Sequence, residues 1–148
     1  MNLEKWAEYG WLRAEPTSPK EIADLLGIVS RDLNDARVAA ISEDRRFEAA
    51  FNAARTAANA ALRACGYCTV TQVGHHLKTI ESLEFTMRAD SRLIQKLRVF
   101  SKKRNATSYD SAGNVSNQEL EEAIKVAEGL RQTVTAWLLE THPELMKS

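Results

Sequence analysis

Apolar positions along this chain are separated by three or four residues almost throughout, and the alternation that marks strands is nearly absent, so the pattern predicts an all-α protein. Residues 1–15 read as a short helix carrying Leu3, Trp6 and Trp11, too short to be stable alone and so docked on something larger. Pro16-Thr17-Ser18-Pro19 breaks it, and Ser18-Pro19-Lys20-Glu21 reads as a capping box with proline at the first helical position. The second helix carries Ile22, Leu25, Leu26, Val29, Leu33 and Ala36 and is predicted to run to about Ala40. Ser42 is placed to cap a third helix over about 43–65, with Phe47, Ala50, Phe51, Ala54, Ala58, Ala61 and Leu62 on one face and Gly66 as its stop. Its many alanines let neighbouring backbones approach closely, which puts this helix at the centre of the bundle.

After a loop over 67–74, Leu77, Ile80 and Leu83 mark a helix over about 75–87, and Asp90 can cap a basic helix ending near Arg104. A loop over 110–115 leads to a second capping box, Ser116-Asn117-Gln118-Glu119, and a last helix bearing Leu120, Ile124, Ala127, Leu130, Val134, Trp137 and Leu138 until His142-Pro143 stops it. The expected architecture is an up-and-down bundle of about five helices over residues 17–148, with residues 1–16 as a short N-terminal helical appendage.

Composition narrows the functional classes. Of 148 residues, 44% are apolar and 27% charged, ordinary for one soluble domain, and 20 basic residues balance 20 acidic ones. Affinity for nucleic acid must therefore be local. No run approaches the length of a membrane span, and the N-terminal stretch with Glu4, Trp6 and Glu8 lacks a secretory pattern, so no membrane association and a cytoplasmic location with reduced cysteines are expected.

The local charge lies between Arg88 and Arg104, where seven basic residues face a single acid, Asp90. Arg92, Lys96, Lys102 and Lys103 are the candidate phosphate contacts of this tract. The competing reading is a solvated face balanced by Glu119, Glu121, Glu122 and Glu128 of the last helix. Arg104 differs from its neighbours. At about 100° per residue it falls within roughly 20° of Leu93 and Leu97, so its guanidinium is predicted to point inward. It is then either a buried clasp, bonded to Asp110 or to carbonyls at the helix end, or part of a site.

Arg104-Asn105 ending a helix before a polar turn, in a small bundle with an alanine-rich central helix, resembles the HEPN family, and the resemblance spans residues 18–145. Gly74-His75-His76 opening a helix and the run from Asn105 to Asp110 are also similar to small bacterial members. The resemblance implies a homodimer in which two motifs share a cleft, a role linked to RNA or nucleotides in toxin–antitoxin or defence systems, and a small nucleotidyltransferase as a possible partner. Some members are metal-independent ribonucleases. The family motif of arginine, polar residue and histidine carries over to Arg104, Asn105 and, in the histidine's place, Tyr109. A phenol with an ordinary pKa of about 10 is a poor proton acceptor near neutrality, so a binding and interaction module is the first expectation and a ribonuclease using Arg104, Asn105 and Tyr109 the alternative. His75 and His76 are candidate replacements for the missing imidazole, with Asp110 as an accessory group.

Cys65-Gly66-Tyr67-Cys68 followed by His75-His76 offers four metal-compatible ligands, but Cys65 extends an apolar stripe and an isolated C-x-x-C is weakly specific, so no metal site is expected. There is no glycine-rich phosphate loop or Ser-His-Asp arrangement, and no cofactor is expected.

Overall fold

The computed structural model describes residues 1–70, 75–105, 113 and 115–147. It is an all-α bundle with one small two-stranded sheet. The elements are α1 (Leu3–Glu8), β1 (Leu12–Ala14), α2 (Pro19–Ala36), α3 (Glu43–Ala64), β2 (Tyr67–Thr69), α4 (His75–Glu81), α5 (Leu83–Thr86), α6 (Ser91–Asn105) and α7 (Asn117–Thr141), closed by a 3₁₀ turn over Pro143–Met146.

α3 is the axis of the bundle, packed chiefly between α2 and α7 and touched by α4, α5, α6 and β2. Between Ala53 and Ala64 every residue is buried except Arg55 and Asn59, so this helix meets neighbours on nearly every side. Alanine makes that possible, because a single methyl group keeps helix axes close without leaving voids. Larger side chains fill the outer layers, with Ile22, Val29 and Leu33 from α2, Ile94 and Leu97 from α6, and Leu130, Val134 and Leu138 from α7.

Local signals in the sequence set most helix ends. The Ser42 hydroxyl accepts from the Arg45 N–H, and Ser116 with Glu119 forms a complete reciprocal capping box. Cys65 ends α3 and Gly66 follows with φ +90°, a conformation that glycine adopts without Cβ strain. The box at Ser18 is only half made. Ser18 Oγ accepts from the Glu21 N–H, but the Glu21 carboxylate accepts instead from the Thr17 hydroxyl and the Arg63 guanidinium.

Four expectations are corrected. Residues 1–15 are not one helix: α1 ends after Glu8, and Gly10 at φ +81° turns the chain, with Gly10 N–H donating to the Ala7 carbonyl and Trp11 N–H to the Trp6 carbonyl. β1 then pairs antiparallel with β2, Leu12 opposite Thr69 and Ala14 opposite Tyr67, inside what was read as a loop. α2 stops at Ala36, not near Ala40, and the Arg46 guanidinium bonds the freed Ala36 carbonyl at 2.8 Å. The segment over 75–87 is two helices, divided at the fully buried Ser82, whose hydroxyl donates to the Thr79 carbonyl at 2.6 Å.

The N-terminal segment lies against the bundle. Trp6 and Leu12 are buried with Leu62 of α3, and Trp6 stands edge-on to Phe85 at 5.1 Å. Lys78 Nζ sits 3.7 Å from the Trp11 ring centroid, a cation–π contact that ties α4 to this segment.

Candidate functional site

A polar stripe crosses the alanine helix. Arg45, Glu48, Asn52 and Arg55 recur on α3 at spacings of three and four, so all four share one face. Asp32 of α2 approaches this stripe from one side and Arg104 of α6 from another, and together these six residues line a cavity of about 230 Å³.

Within the cavity the groups are linked in sequence. Asp32 is buried, and its Oδ1 accepts from Arg31 Nε and Nη2 at 3.2 and 3.1 Å. Asp32 Oδ2 accepts from the Asn52 amide, and Asn52 Oδ1 in turn accepts from Arg55 Nη2. The amide thus relays between an anion and a cation, fixing which way its oxygen and nitrogen point. Burial, and then the charge of Arg104, hold the Arg55 guanidinium below its ordinary pKa, while Asp32 acts in the opposite direction. Two like charges are being held close in a partly desolvated place.

Arg104 lines the cavity, as its position on the α6 stripe predicts. It is half-buried and has no hydrogen bond or ion pair to another described residue. Asn105 ends α6 and is exposed. Tyr109 and Asp110 lie outside the described residues, as does the His75 side chain. His76 sits on α4 and is not among the described residues lining the cavity.

The basic tract divides. Lys96 Nζ pairs with Glu122 at 2.7 Å and Lys103 Nζ with Glu119 at 3.1 Å, and Arg98 pairs with Glu81 at 2.9 Å. The carboxylates of α7 therefore face two of the four candidate phosphate contacts. Their own pKa values move accordingly: Lys96 lowers that of Glu122, and the Ser116 N–H, followed by Lys103, lowers that of Glu119. Arg92 and Lys102 are exposed and make no ion pair with another described residue.

At the other end of the bundle both thiols are free. Burial pushes the Cys65 thiol pKa up, and burial followed by a 3.1 Å hydrogen bond to Glu15 does the same at Cys68. Both effects disfavour the thiolate that metal binding or nucleophilic chemistry requires. Among the described residues no cluster of three or more His, Cys, Asp or Glu side chains could hold a metal ion.

The HEPN domain pattern matches residues 22–137, most of the chain and all of α3, α6 and the cavity between them. The chain belongs to the HEPN family. Neither a curated protein nor a solved structure matches it. As a HEPN domain it is, in general terms, a nucleotide- or RNA-related module. Among the described residues, no helix is long and apolar enough to cross a membrane.

Sequence reasoning reached Arg104 but missed Asp32, Arg45, Glu48, Asn52 and Arg55. Their signal is the regular polar spacing on α3, which the solvent face of any amphipathic helix shows equally. A charged residue such as Arg55, set between buried alanines, is rarely left there without a partner or a task.

Proposed function

We propose that this HEPN domain is an RNA- or nucleotide-binding and interaction module, working as a homodimer in a bacterial toxin–antitoxin or defence system beside a small nucleotidyltransferase. The observation that carries this reading is the Arg104 guanidinium: it lines a polar cavity next to Arg55, and no described carboxylate neutralises it. A guanidinium that no described carboxylate neutralises, in a partly desolvated cavity, favours an anion, and in RNA the available anion is phosphate. Asn105 and Tyr109 extend the contact to the ribose–phosphate chain, and Arg92 and Lys102 contribute longer-range attraction.

A ribonuclease is the second reading. In it Arg104 stabilises the phosphate charge, Asn105 orients the substrate and Tyr109 or a cleft histidine moves the proton; the carboxylates Asp32 and Glu48, which line the cavity, favour proton transfer there without a metal. One experiment separates the two. Purified protein is mixed with a labelled RNA in EDTA, and both binding and chain length are followed. Retention of intact RNA that Arg104→Ala reduces by about tenfold or more supports the binding module. Cleavage that the same substitution abolishes supports the nuclease, and absence of both interactions rejects the two readings together.

A further inference from the structure

We propose that the cavity between α2, α3 and α6 is a receptor for a terminal phosphate, the dianionic monoester at the end of an RNA strand or on a mononucleotide, gripped between the guanidinium groups of Arg55 and Arg104. The inference rests on the proposed function and adds which phosphate is bound and which further residue binds it.

Charge is the first argument. The carboxylate of Asp32 is matched by the Arg31 fork on its Oδ1, and the rest of the charged lining is Glu48 against Arg45, Arg55 and Arg104, an excess of cations. Among the described residues neither Arg55 nor Arg104 forms an ion pair, although Asp32 lies close enough to favour the charge on Arg55, so the two guanidiniums face one cavity as its available cations. An internal phosphodiester brings a single negative charge, whereas a terminal phosphate brings close to two at neutral pH. The pair of guanidiniums is therefore better matched by the terminal group.

Orientation is the second argument. Arg55 sits in a run of buried alanines, and its Nη2 is fixed by Asn52 Oδ1, itself set by the Asp32 carboxylate. Such a relay holds the planar fork before a ligand arrives and lowers the entropy lost on binding. Asp32 and Asn52 are positioning residues in this scheme; Arg55 and Arg104 touch the anion.

Size and lining complete the case. A volume of about 230 Å³ gives room for a phosphate and its ester carbon. Phe51 is the single aromatic ring among the described lining residues, and it is buried in the core, so no ring is offered on which a base stacks. The cavity reads an end and leaves the sequence unread.

The test uses the full chain and fluorescence anisotropy with one RNA decamer carrying a 5′-phosphate, a 3′-phosphate or hydroxyls at both ends. Isothermal titration with adenosine 5′-monophosphate and with adenosine forms a parallel arm. One phosphorylated end, or the mononucleotide, is expected to bind about tenfold or more tightly than its hydroxyl counterpart. In Arg55→Gln that preference falls to near unity, and Arg55→Lys, which keeps the charge but not the fork, restores part of it. Asn52→Asp, nearly isosteric, places a carboxylate against Arg55 and is expected to abolish the preference while the melting temperature shows a folded chain. Phosphate-ended and hydroxyl-ended RNA binding equally, still through Arg104, overturns this inference and leaves the RNA-binding reading intact. Tight monophosphate binding without RNA binding does the reverse, sustaining the receptor while rejecting RNA as its source. A preference that survives Arg55→Gln also overturns it.

Discussion

Asp44, in the first turn of α3, accepts a hydrogen bond from the backbone N–H of Gly113 at 2.7 Å, across 69 residues of sequence. Gly113, at φ +71°, adopts a conformation that suits glycine, and it stands just before the Ser116 cap of α7. Gly113 is thereby tied to the helix that carries Arg45, Glu48, Asn52 and Arg55.

Removing that tie is expected to cost about 1–2 kcal/mol, from a charge-assisted hydrogen bond and a favourable charge at a helix N-terminus. Denaturant unfolding of Asp44→Ala checks the magnitude. Asp44→Asn keeps an acceptor and loses the charge, so its loss should be the smaller of the two. Equal losses would show that the dipole, and not the Gly113 bond, carries the effect.

Arg63 forms a second long-range clasp. Its buried guanidinium bonds Glu21 Oε1 at 2.9 and 2.7 Å and lies 3.6 Å from Glu15, fastening the start of α2 and the end of β1 to the centre of the bundle. Arg63→Met keeps most of the apolar stem but leaves Glu21 without its cation, while Glu15 retains Arg13 at 2.8 Å. A loss of about 2 kcal/mol is expected in urea unfolding. A change below about 0.5 kcal/mol would mean that solvent replaces the clasp.

Acid should weaken the same region in a defined direction. The Thr17 hydroxyl, then Arg63, hold the Glu21 carboxyl below its ordinary value of 4.5, and Arg13, then Cys68, do so for Glu15. A carboxyl depressed in the folded chain binds fewer protons there than when unfolded. Its contribution is complete above the unfolded value and is lost as pH falls through the folded one. Melting temperatures of the native chain should therefore drop below about pH 4.5, and the drop should be shallower in Glu21→Gln. Parallel pH profiles for the two proteins would exclude Glu21 as a contributor.

Arg88 has φ +53°, a left-handed conformation outside glycine, where the chain turns from α5 toward α6. The bond from Ala89 N–H to the Leu83 carbonyl requires that turn. Arg88→Gly relieves the Cβ strain and should raise stability by about 0.5–1 kcal/mol despite the added freedom of the unfolded chain. A fall in melting temperature would show that the arginine side chain contributes more than its backbone costs.

What was legible in the sequence follows from how far apart the interacting groups are. Ser42, Ser116 with Glu119, Cys65 with Gly66, and the inward turn of Arg104 on α6 all depend on neighbours within a few residues, and each could be read from spacing. The break after Glu8 depends on Gly10, but the strand that follows it exists because Leu12 finds Thr69, and no local pattern announces a three-residue strand whose partner is so distant. α2 ends at Ala36 because Arg46 of the next helix takes up its carbonyl. The cavity was hidden for the same reason. Asp32, Asn52 and Arg55 look like surface residues of two amphipathic helices until those helices pack, and only then does the buried carboxylate acquire the amide that orients the arginine.

The split of the basic tract gives a last prediction about RNA binding. Lys96 and Lys103 already face Glu122 and Glu119, so a phosphate must displace a carboxylate to reach them, whereas Arg92 and Lys102 have no ion pair to break among the described residues. Each phosphate contact to a single strand contributes about 0.7 to the slope of log affinity against log salt. Lys102→Ala should lower that slope by about this amount, and Lys96→Ala by clearly less, because a lysine held by Glu122 neutralises no phosphate and so releases no counterion from one. A double substitution, Lys96→Ala with Glu122→Ala, should then bind RNA nearly as the native chain does. If instead Lys96→Ala gave the larger change in slope, the lysine would be leaving its carboxylate to contact RNA, and α7 would be releasing cations to the ligand instead of withholding them.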